Sequence, residues 1–470
     1  MISIGYLLSI LILINISSSH ANWEADPLPI NLFDNPGAPD PHYNSGGRRI
    51  VRIKNTIIAI CPHGSAGEYT YRSLNNGESW SQIDTDGRYS GCLITGRNQQ
   101  VFHFYVRGDN IYMIRFSYDA NPPEPISIYT DPNLSNQGHG AYNMINATCG
   151  PDGKLYVATH WRDDNNGDGD DLYLISSEDD GNSWTADGNA FLINQGDATH
   201  SWGYIHMDVS WDSILVAVYT EAAALSTKSI QFATSANKGE TWRTIELSAG
   251  MRNNPSILPA GSAAIFVFAQ GEPGAGAGGL IFNRSLDKGV SWDGWESIDD
   301  ASTSGYGDPS PVLGDDGTIY VAYRSGARSD LSGTSGGNQC RSRLARSSDS
   351  GTTWTFPDDY FYDKNGEPTP RTGTRNPARY QTWYNYGGPL EWTWMQYEGA
   401  QRPIYYDINT DLFIFDIQAD TVTSVVNLSN NKTNSIREQR NYSAFYTVNG
   451  KKISKIRYFL NRFLPAIPVK

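Results

Sequence analysis

The 470-residue chain has few charged residues, and those of positive sign are in the minority. Asp, Glu, Lys and Arg make up 18% of the residues, against ~25% in a typical soluble domain. Acidic residues outnumber basic ones by 50 to 36, which gives a net charge of −14. A general nucleic-acid binder would carry a basic stripe, so this balance argues against that class. It leaves an anionic ligand open, because a local group of cations can act against the overall field.

Long apolar runs are missing beyond the first twenty residues, so the sequence predicts no membrane span. The run over residues 6–16 is too short to cross a bilayer, and Ser19 and Ala21 after it form a small-x-small cleavage site. Residues 1–21 are therefore predicted to be a secretory signal peptide, with the mature chain starting at Asn22. The protein would then be secreted, to the periplasm or the extracellular space.

Cysteine is scarce, although an exported protein meets an oxidising compartment. The sequence contains no C-x-x-C pair, which disfavours a structural zinc site of the ribbon type. Four cysteines allow three pairings, and buried thiols are an equal alternative to a disulfide. The four are Cys61, Cys92, Cys149 and Cys340.

Aromatic residues and glycine are abundant, with 28 Tyr, 13 Trp and 46 Gly, which favours an all-β protein. The octapeptide Ser-x-(Asp/Asn)-x-Gly-x-(Ser/Thr)-Trp occurs five times, starting at Ser73, Ser177, Ser235, Ser285 and Ser347. The pattern predicts a hairpin turn. The Asp or Asn bonds to backbone N–H groups, Gly takes a positive φ, the Ser or Thr ties the ends, and Trp plugs the sheet beneath.

The octapeptide resembles the Asp-box, a structural turn between the outer strands of blades in sialidase-like β-propellers. Its Trp residues lie 104, 58, 50 and 62 residues apart, and the longest interval holds a degenerate copy near Ser117 and Asp119. With one more strand set over residues 380–417, the prediction is a seven-bladed β-propeller of four-stranded antiparallel blades spanning residues 22–430, with six blades as the alternative. Residues 431–470 hold nine Lys or Arg and a single acid, and are predicted to close the ring, or else to form a basic flap.

In a propeller the first strand of each blade starts near the central funnel and the second ends back near it, so the residues at those points line one rim. Two His, a Tyr and Arg residues on one rim suit proton transfer on an anionic sugar. An Arg guanidinium can donate two parallel hydrogen bonds to a carboxylate, and the pKa of His lies near neutral pH. Among the residues that this register puts on the rim, His139, Tyr142, Tyr204 and Arg252 lie at or before first strands, and His160, Arg162 and Arg324 lie at the ends of second strands.

A second motif follows His160 directly and resembles the start of an EF-hand loop, with oxygen ligands at alternate positions around a Gly turn. The glutamate expected at the twelfth place is replaced by Ile175. The sequence therefore leaves two interpretations, a structural Ca²⁺ site or a solvated acidic loop. The ligands of such a site would be Asp164, Asn166, Asp168 and Asp170.

The rim resembles that of the seven-bladed ulvan lyases, in which two histidines about twenty residues apart lie on consecutive strand ends. His139 and His160 have that spacing, and Tyr204 matches a catalytic Tyr on the next blade. Arg252 and Arg324 match arginines that hold the acidic group of the substrate.

The resemblance implies a polysaccharide lyase that cleaves ulvan, an anionic sulfated rhamnose–uronic acid polymer, by β-elimination and needs no cofactor for the chemistry. The protein is expected to be secreted and monomeric. The alternatives are a sialidase-like glycoside hydrolase, whose Arg-Ile-Pro motif Arg49-Ile50-Val51 matches approximately, and a carbohydrate-binding propeller without catalysis.

Overall fold

The computed structural model describes residues 30–33, 49–62, 68–84, 91–108, 110–130, 145–163, 169–185, 191–194, 201–210, 212, 215–222, 228–248, 252–261, 263–271, 279–299, 309–314, 317–325, 341–356, 372–373, 388–396, 404–414, 445–446 and 452–453. In this part of the chain the regular structure is β-strand, apart from the 3-10 turn Arg97–Gln99. The prediction of an all-β propeller is confirmed. No helix among the described residues is long and apolar enough to cross a membrane.

The first three blades are antiparallel sheets whose strands pair in chain order. Blade 1 contains β2 (Ile50–Ile53), β3 (Thr56–Pro62), β4 (Glu68–Ser73) and β5 (Ser81–Gln82). Blade 2 contains β6 (Gly91–Thr95), β7 (Gln100–Arg107), β8 (Asn110–Ser117) and β9 (Ile126–Thr130). Blade 3 contains β10 (Ile145–Cys149), β11 (Leu155–Asp163), β12 (Gly169–Ser177) and β13 (Phe191–Asn194).

The next two blades follow the same order, and a smaller sheet comes after them. Blade 4 contains β14 (Ser201–Val209), β15 (Leu215–Ala222), β16 (Lys228–Ser235) and β17 (Arg243–Ser248). Blade 5 contains β18 (Arg252–Pro259), β19 (Ile265–Gly271), β20 (Gly279–Ser285) and β21 (Glu296–Ser297). The three-stranded sheet contains β22 (Ser310–Leu313), β23 (Ile319–Ser325) and β24 (Arg341–Ser347).

The ring is completed by strands from both ends of the chain. The closing blade has the order β1-β27-β26-β25. It is built from β25 (Thr372–Gly373), β26 (Gly388–Gln396), β27 (Ile404–Ile414) and β1 (Ile30–Phe33). At the edge of this blade, β1 pairs with β27. Most of residues 431–470, which the sequence predicts to close the ring or else to form a basic flap, lies outside the described residues. Of the C-terminal segment the structure describes β28 (Phe445–Tyr446) and β29 (Lys452–Ile453), which pair with each other.

The described residues form six four-stranded blades, the number that the sequence left as its alternative, so the prediction of seven such blades is wrong. The additional sheet, β22–β24, lies between blade 5 and the closing blade and has three strands. Of the residues described after its octapeptide, Thr355 forms a bridge to Arg346, and residues 357–371 lie outside the described part of the chain. The octapeptide count therefore included a sheet that has the turn but only three strands among the described residues.

The hydrophobic core lies between the blades rather than in one central mass. One cluster joins blades 2, 3 and 4, and others join blade 1 to blade 2, blade 4 to blade 5, and blade 5 to the three-stranded sheet. First strands such as β6 and β10 are buried at every residue, because neighbouring blades cover both of their faces. Cys92 and Cys149 are buried thiols in this core, and each donates a weak hydrogen bond to a nearby carbonyl.

The five octapeptides form turns between the third and fourth strand positions and share one hydrogen-bond network. In the copy at Ser285, the Ser285 hydroxyl donates to Asp287 at 2.9 Å and accepts the Gly289 N–H at 2.8 Å. Asp287 also accepts the Ser291 N–H at 2.8 Å, and Gly289 has φ +79°. The predicted turn geometry is thus present.

Three of the turns also hold their blade to the preceding one through a Trp ring. Trp184, Trp292 and Trp354 pack edge-on against Phe104, Phe232 and Phe282 of the preceding blade, with ring centroids 5.0–5.7 Å apart. Arginines from the preceding blade donate to carbonyls in the turn, as Arg115 does to Asp180 and Arg284 does to Ser350, both at 2.6 Å. The Trp residues therefore plug the joint between two blades as well as their own sheet.

Candidate functional site

The backbone register defines the rim that the sequence predicted. In blade 5 the first residue of β18, Arg252, pairs with the last residue of β19, Gly271. In blade 4 Ser201 at the start of β14 pairs with Ala222 at the end of β15. First strands thus begin where second strands end, at one face of the ring. The octapeptides follow third strands, which run parallel to the first, so they lie at the opposite face.

Five of the seven predicted site residues lie in described strands at this rim. His160 and Arg162 are near the end of β11, and Tyr204 lies in β14 within a bulge between Gly203 and His206. Arg252 opens β18, and Arg324 is the penultimate residue of β23. The register therefore brings these residues to one face on successive sheets. Their side chains lie outside the described residues, as do His139 and Tyr142 altogether, so the catalytic geometry remains a prediction.

The predicted calcium loop falls at the tip of the β11–β12 hairpin, which extends four residue pairs beyond the first strand of its blade. Asp164, Asn166 and Asp168 lie outside the described residues. Asp170 is in β12, directly opposite Arg162 in the ladder. Elsewhere in the described part of the chain, no three His, Cys, Asp or Glu side chains come together as a metal site. The loop thus remains a prediction.

One described pair anchors the rim between blade 5 and the three-stranded sheet. The Tyr323 hydroxyl donates to the Asp299 carboxylate at 2.6 Å, with Tyr323 1% and Asp299 6% exposed. Asp299 follows β21, and Tyr323 directly precedes Arg324. A short hydrogen bond to a buried carboxylate is among the stronger polar contacts. It therefore holds the end of β23, and with it the backbone of Arg324, against blade 5.

A second anchor is His206 on β14, which is not among the predicted site residues. Its ring is 2% exposed, and its Nδ1 accepts the N–H of Ile257 from the first strand of blade 5 at 2.8 Å. The next polar residue on β14, Asp208, accepts from Thr148 of blade 3 at 3.0 Å. The alternation of His206 and Asp208 with Ile205, Met207 and Val209 was the available signal for an inner strand carrying polar side chains between blades.

Comparisons with known proteins give the fold. No protein-family model matches the chain, and no similar sequence is found among curated proteins. Among solved structures, an ulvan lyase of polysaccharide lyase family PL25 superposes with a TM-score of 0.57 at 10% identity, over 81% of this chain and 96% of that one. The same lyase bound to -[GlcA(1-4)Rha3S]- gives 0.56 at 10% identity and the same coverage. The polysaccharide lyase Uly1 gives 0.50 at 10% identity, over 86% of this chain and 96% of that one.

Proposed function

We propose that this protein is a secreted polysaccharide lyase that cleaves ulvan, a sulfated uronic-acid-containing polysaccharide, by β-elimination. The observation that carries the proposal is the register, which puts His160, Tyr204, Arg252 and Arg324 on one rim of successive sheets. The propeller is shared with ulvan lyases, one of them bound to a glucuronate–rhamnose sulfate disaccharide. That likeness gives the fold and supports the choice of substrate to test first.

The proposed reaction needs charge neutralisation and two proton transfers. Arg252 and Arg324 pair with the uronate carboxylate, which acidifies the C5 proton and stabilises the enolate-like transition state. His139 or Tyr204 removes that proton as the C4–O4 bond breaks and the C4–C5 double bond forms. The other of the two, or His160, protonates the departing O4. Tyr142 and Arg162 extend the binding surface, and the chemistry requires no cofactor.

The hydrolase alternative finds less support among the described residues. Retaining glycosidases need a carboxylate pair, or a Tyr nucleophile in its place. One Tyr–carboxylate pair among the described residues is Tyr323 with Asp299, and Tyr323 is 1% exposed. A buried phenol held by a carboxylate between two sheets is placed to support the rim rather than to attack a sugar.

The test is incubation of the purified mature protein with ulvan, following the ultraviolet absorbance of unsaturated uronate together with reducing ends. A lyase raises both signals, a hydrolase raises reducing ends alone, and a binding module raises neither. The second and third outcomes would each overturn the proposal. His139→Ala and Tyr204→Phe should each abolish turnover with nearly unchanged melting temperature.

Arg252→Ala should lower kcat/KM by the equivalent of ~3–4 kcal/mol, as for a lost oxyanion donor. Its matched control is Arg284→Ala in the same blade, because Arg284 lies at the opposite face, where it binds Asp293 at 2.7 Å and the Ser350 carbonyl. The control should lower the melting temperature and leave kcat/KM unchanged. Equal kcat/KM values for Arg252→Ala and wild type would remove Arg252 from the mechanism.

A further inference from the structure

The innermost strands of blades 3, 4 and 5 are joined by side chains that accept backbone N–H groups from the next blade. Asn146 Oδ1 accepts the Met207 N–H at 3.1 Å, and His206 Nδ1 accepts the Ile257 N–H at 2.8 Å. Asn146 lies three residues before the end of β10, and His206 lies three residues before the end of β14. The two joints therefore have the same geometry but use different acceptors, an amide oxygen in one and an imidazole nitrogen in the other.

The difference matters because only one of these acceptors titrates. A backbone N–H can only donate, so His206 must accept with a lone pair at Nδ1. The neutral ring therefore carries its proton at Nε2. A protonated imidazole donates from both nitrogens and has no lone pair to offer. The Asn146 amide keeps its oxygen at any ordinary pH. Because His206 is 2% exposed, bulk water is not at hand to replace the lost bond.

The acidic residue nearest to His206 on its own strand is engaged by other donors. On β14 itself, Asp208 already accepts from Thr148 at 3.0 Å and from the Val209 N–H at 2.9 Å. Blade 5 also brings the neutral Ser256 hydroxyl to within 3.4 Å of Nδ1. The titratable residues on the strands packed against β14 are Cys149 on β10, Tyr156, His160, Arg162 and Asp163 on β11, Asp170, Asp171 and Tyr173 on β12, Tyr219 and Glu221 on β15, and Arg252 on β18.

We propose that His206 is a positioning residue that joins blades 4 and 5 only in its neutral form, so that acid loosens the rim between them. Tyr204 lies two residues before His206 on β14, and Arg252 lies five residues before Ile257 on β18. Loss of the joint therefore lets the two strands that carry these residues shift relative to each other. The consequence for catalysis rests on the proposed function, whereas the acid-labile joint does not.

The experiment compares wild type, His206→Asn and His206→Leu by melting temperature between pH 4.5 and pH 8. A histidine held neutral in the fold costs stability as pH falls below the ordinary value of ~6.5, by up to tenfold in the folding equilibrium per pH unit. His206→Asn restores the type of acceptor that Asn146 supplies, so it should lose this component of the pH dependence and remain stable at neutral pH. His206→Leu should be destabilised at every pH and lack the same component.

Two results would contradict the proposal that neutral His206 joins blades 4 and 5. One is a His206→Asn variant whose melting temperature falls with pH as steeply as that of wild type, and the other is a His206→Leu variant as stable as wild type. If neither variant folds, ¹⁵N-histidine NMR of the wild type decides, since a protonated Nδ1 on His206 at neutral pH would contradict the proposal.

The activity measurement separates this inference from the proposed function. With ulvan as substrate, His206→Asn should keep kcat/KM near the wild-type value at pH 8 and lose less of it at pH 5.5. An inactive wild type would contradict the proposed function, and the melting temperatures would still test the hydrogen bond between His206 and blade 5. Identical pH profiles in an active enzyme would defeat the positioning role alone.

Discussion

Replacement of Gly289 by alanine tests how tightly the octapeptide turn packs against the preceding blade. Gly289 has φ +79°, and a Cβ atom there would lie 2.5 Å from Cε1 and 2.6 Å from Cζ of Phe232. The Phe232 ring is fully buried and in edge contact with Trp292, with centroids 5.0 Å apart. Because a buried ring flanked by another ring has little room to move, the added methyl must displace one of the two blades.

The expected cost has two parts. The left-handed backbone costs an L-residue ~1–2 kcal/mol, and overpacking in a filled core costs ~1–3 kcal/mol more. The sum is a loss of about 2–5 kcal/mol in the free energy of unfolding. Gly108→Ala is the matched control, because Gly108 has φ +57° and a Cβ atom added there would meet no other atom within 4 Å. The control should lose only the backbone part, and the change in unfolded-chain entropy is common to both variants.

The measurement is urea unfolding followed by tryptophan fluorescence, with Trp292 reporting from the joint itself. Midpoints at a common m-value give the difference between the two variants, which should be ~1–3 kcal/mol. Equal destabilisation by Gly289→Ala and Gly108→Ala would refute the reasoning, since it would mean that the joint accommodates a methyl group without strain.

Two further predictions concern single polar contacts. Hydrogen bonds from the Ser183 side chain and backbone, and from Ser177, lower the pKa of Asp179 from 3.8 to about 2, so its contribution to stability is present above the unfolded value and lost as pH falls from 3.8 towards 2. Asp179→Asn should therefore flatten the melting temperature over that range, and an unchanged acid limb would contradict this. Tyr323→Phe removes the donor to buried Asp299 and should cost ~1–3 kcal/mol of unfolding free energy, so an unshifted urea midpoint would show that the pair does not hold the rim.

The octapeptide turn could be predicted because its contacts are local. Ser285, Asp287, Gly289 and Ser291 satisfy one another within seven residues, so the pattern alone determines the hydrogen bonds. The number of complete blades could not be predicted in the same way. The turn before Thr355 has the same sequence pattern as the turns before described fourth strands, yet the described pairing of this segment with β24 is one bridge.

The pairing of β1 with β27 could not be predicted from the sequence for a related reason. Ile30 of β1 pairs with Tyr406 of β27, residues that lie at opposite ends of the chain. The four residues of β1 are too few to show strand periodicity, and their sequence does not indicate which strand they pair with. The basic C-terminal segment with its apolar runs is the more visible candidate from sequence, and the structure describes only β28 and β29 of it, which pair with each other.

The octapeptide face and the inner strands differ in how much of a residue's role can be inferred from the sequence. At the octapeptide face, the same contacts recur from blade to blade, so a role inferred for Trp292 transfers to Trp354. Between the inner strands the geometry recurs but the chemistry changes, as Asn146 and His206 show by accepting the same kind of N–H. A histidine in such a position resembles a catalytic residue by type, because both uses depend on a neutral imidazole. A histidine that joins two blades differs from a catalytic one in its burial and in the N–H group that it faces. Both features depend on the neighbouring blade rather than on the sequence around the histidine.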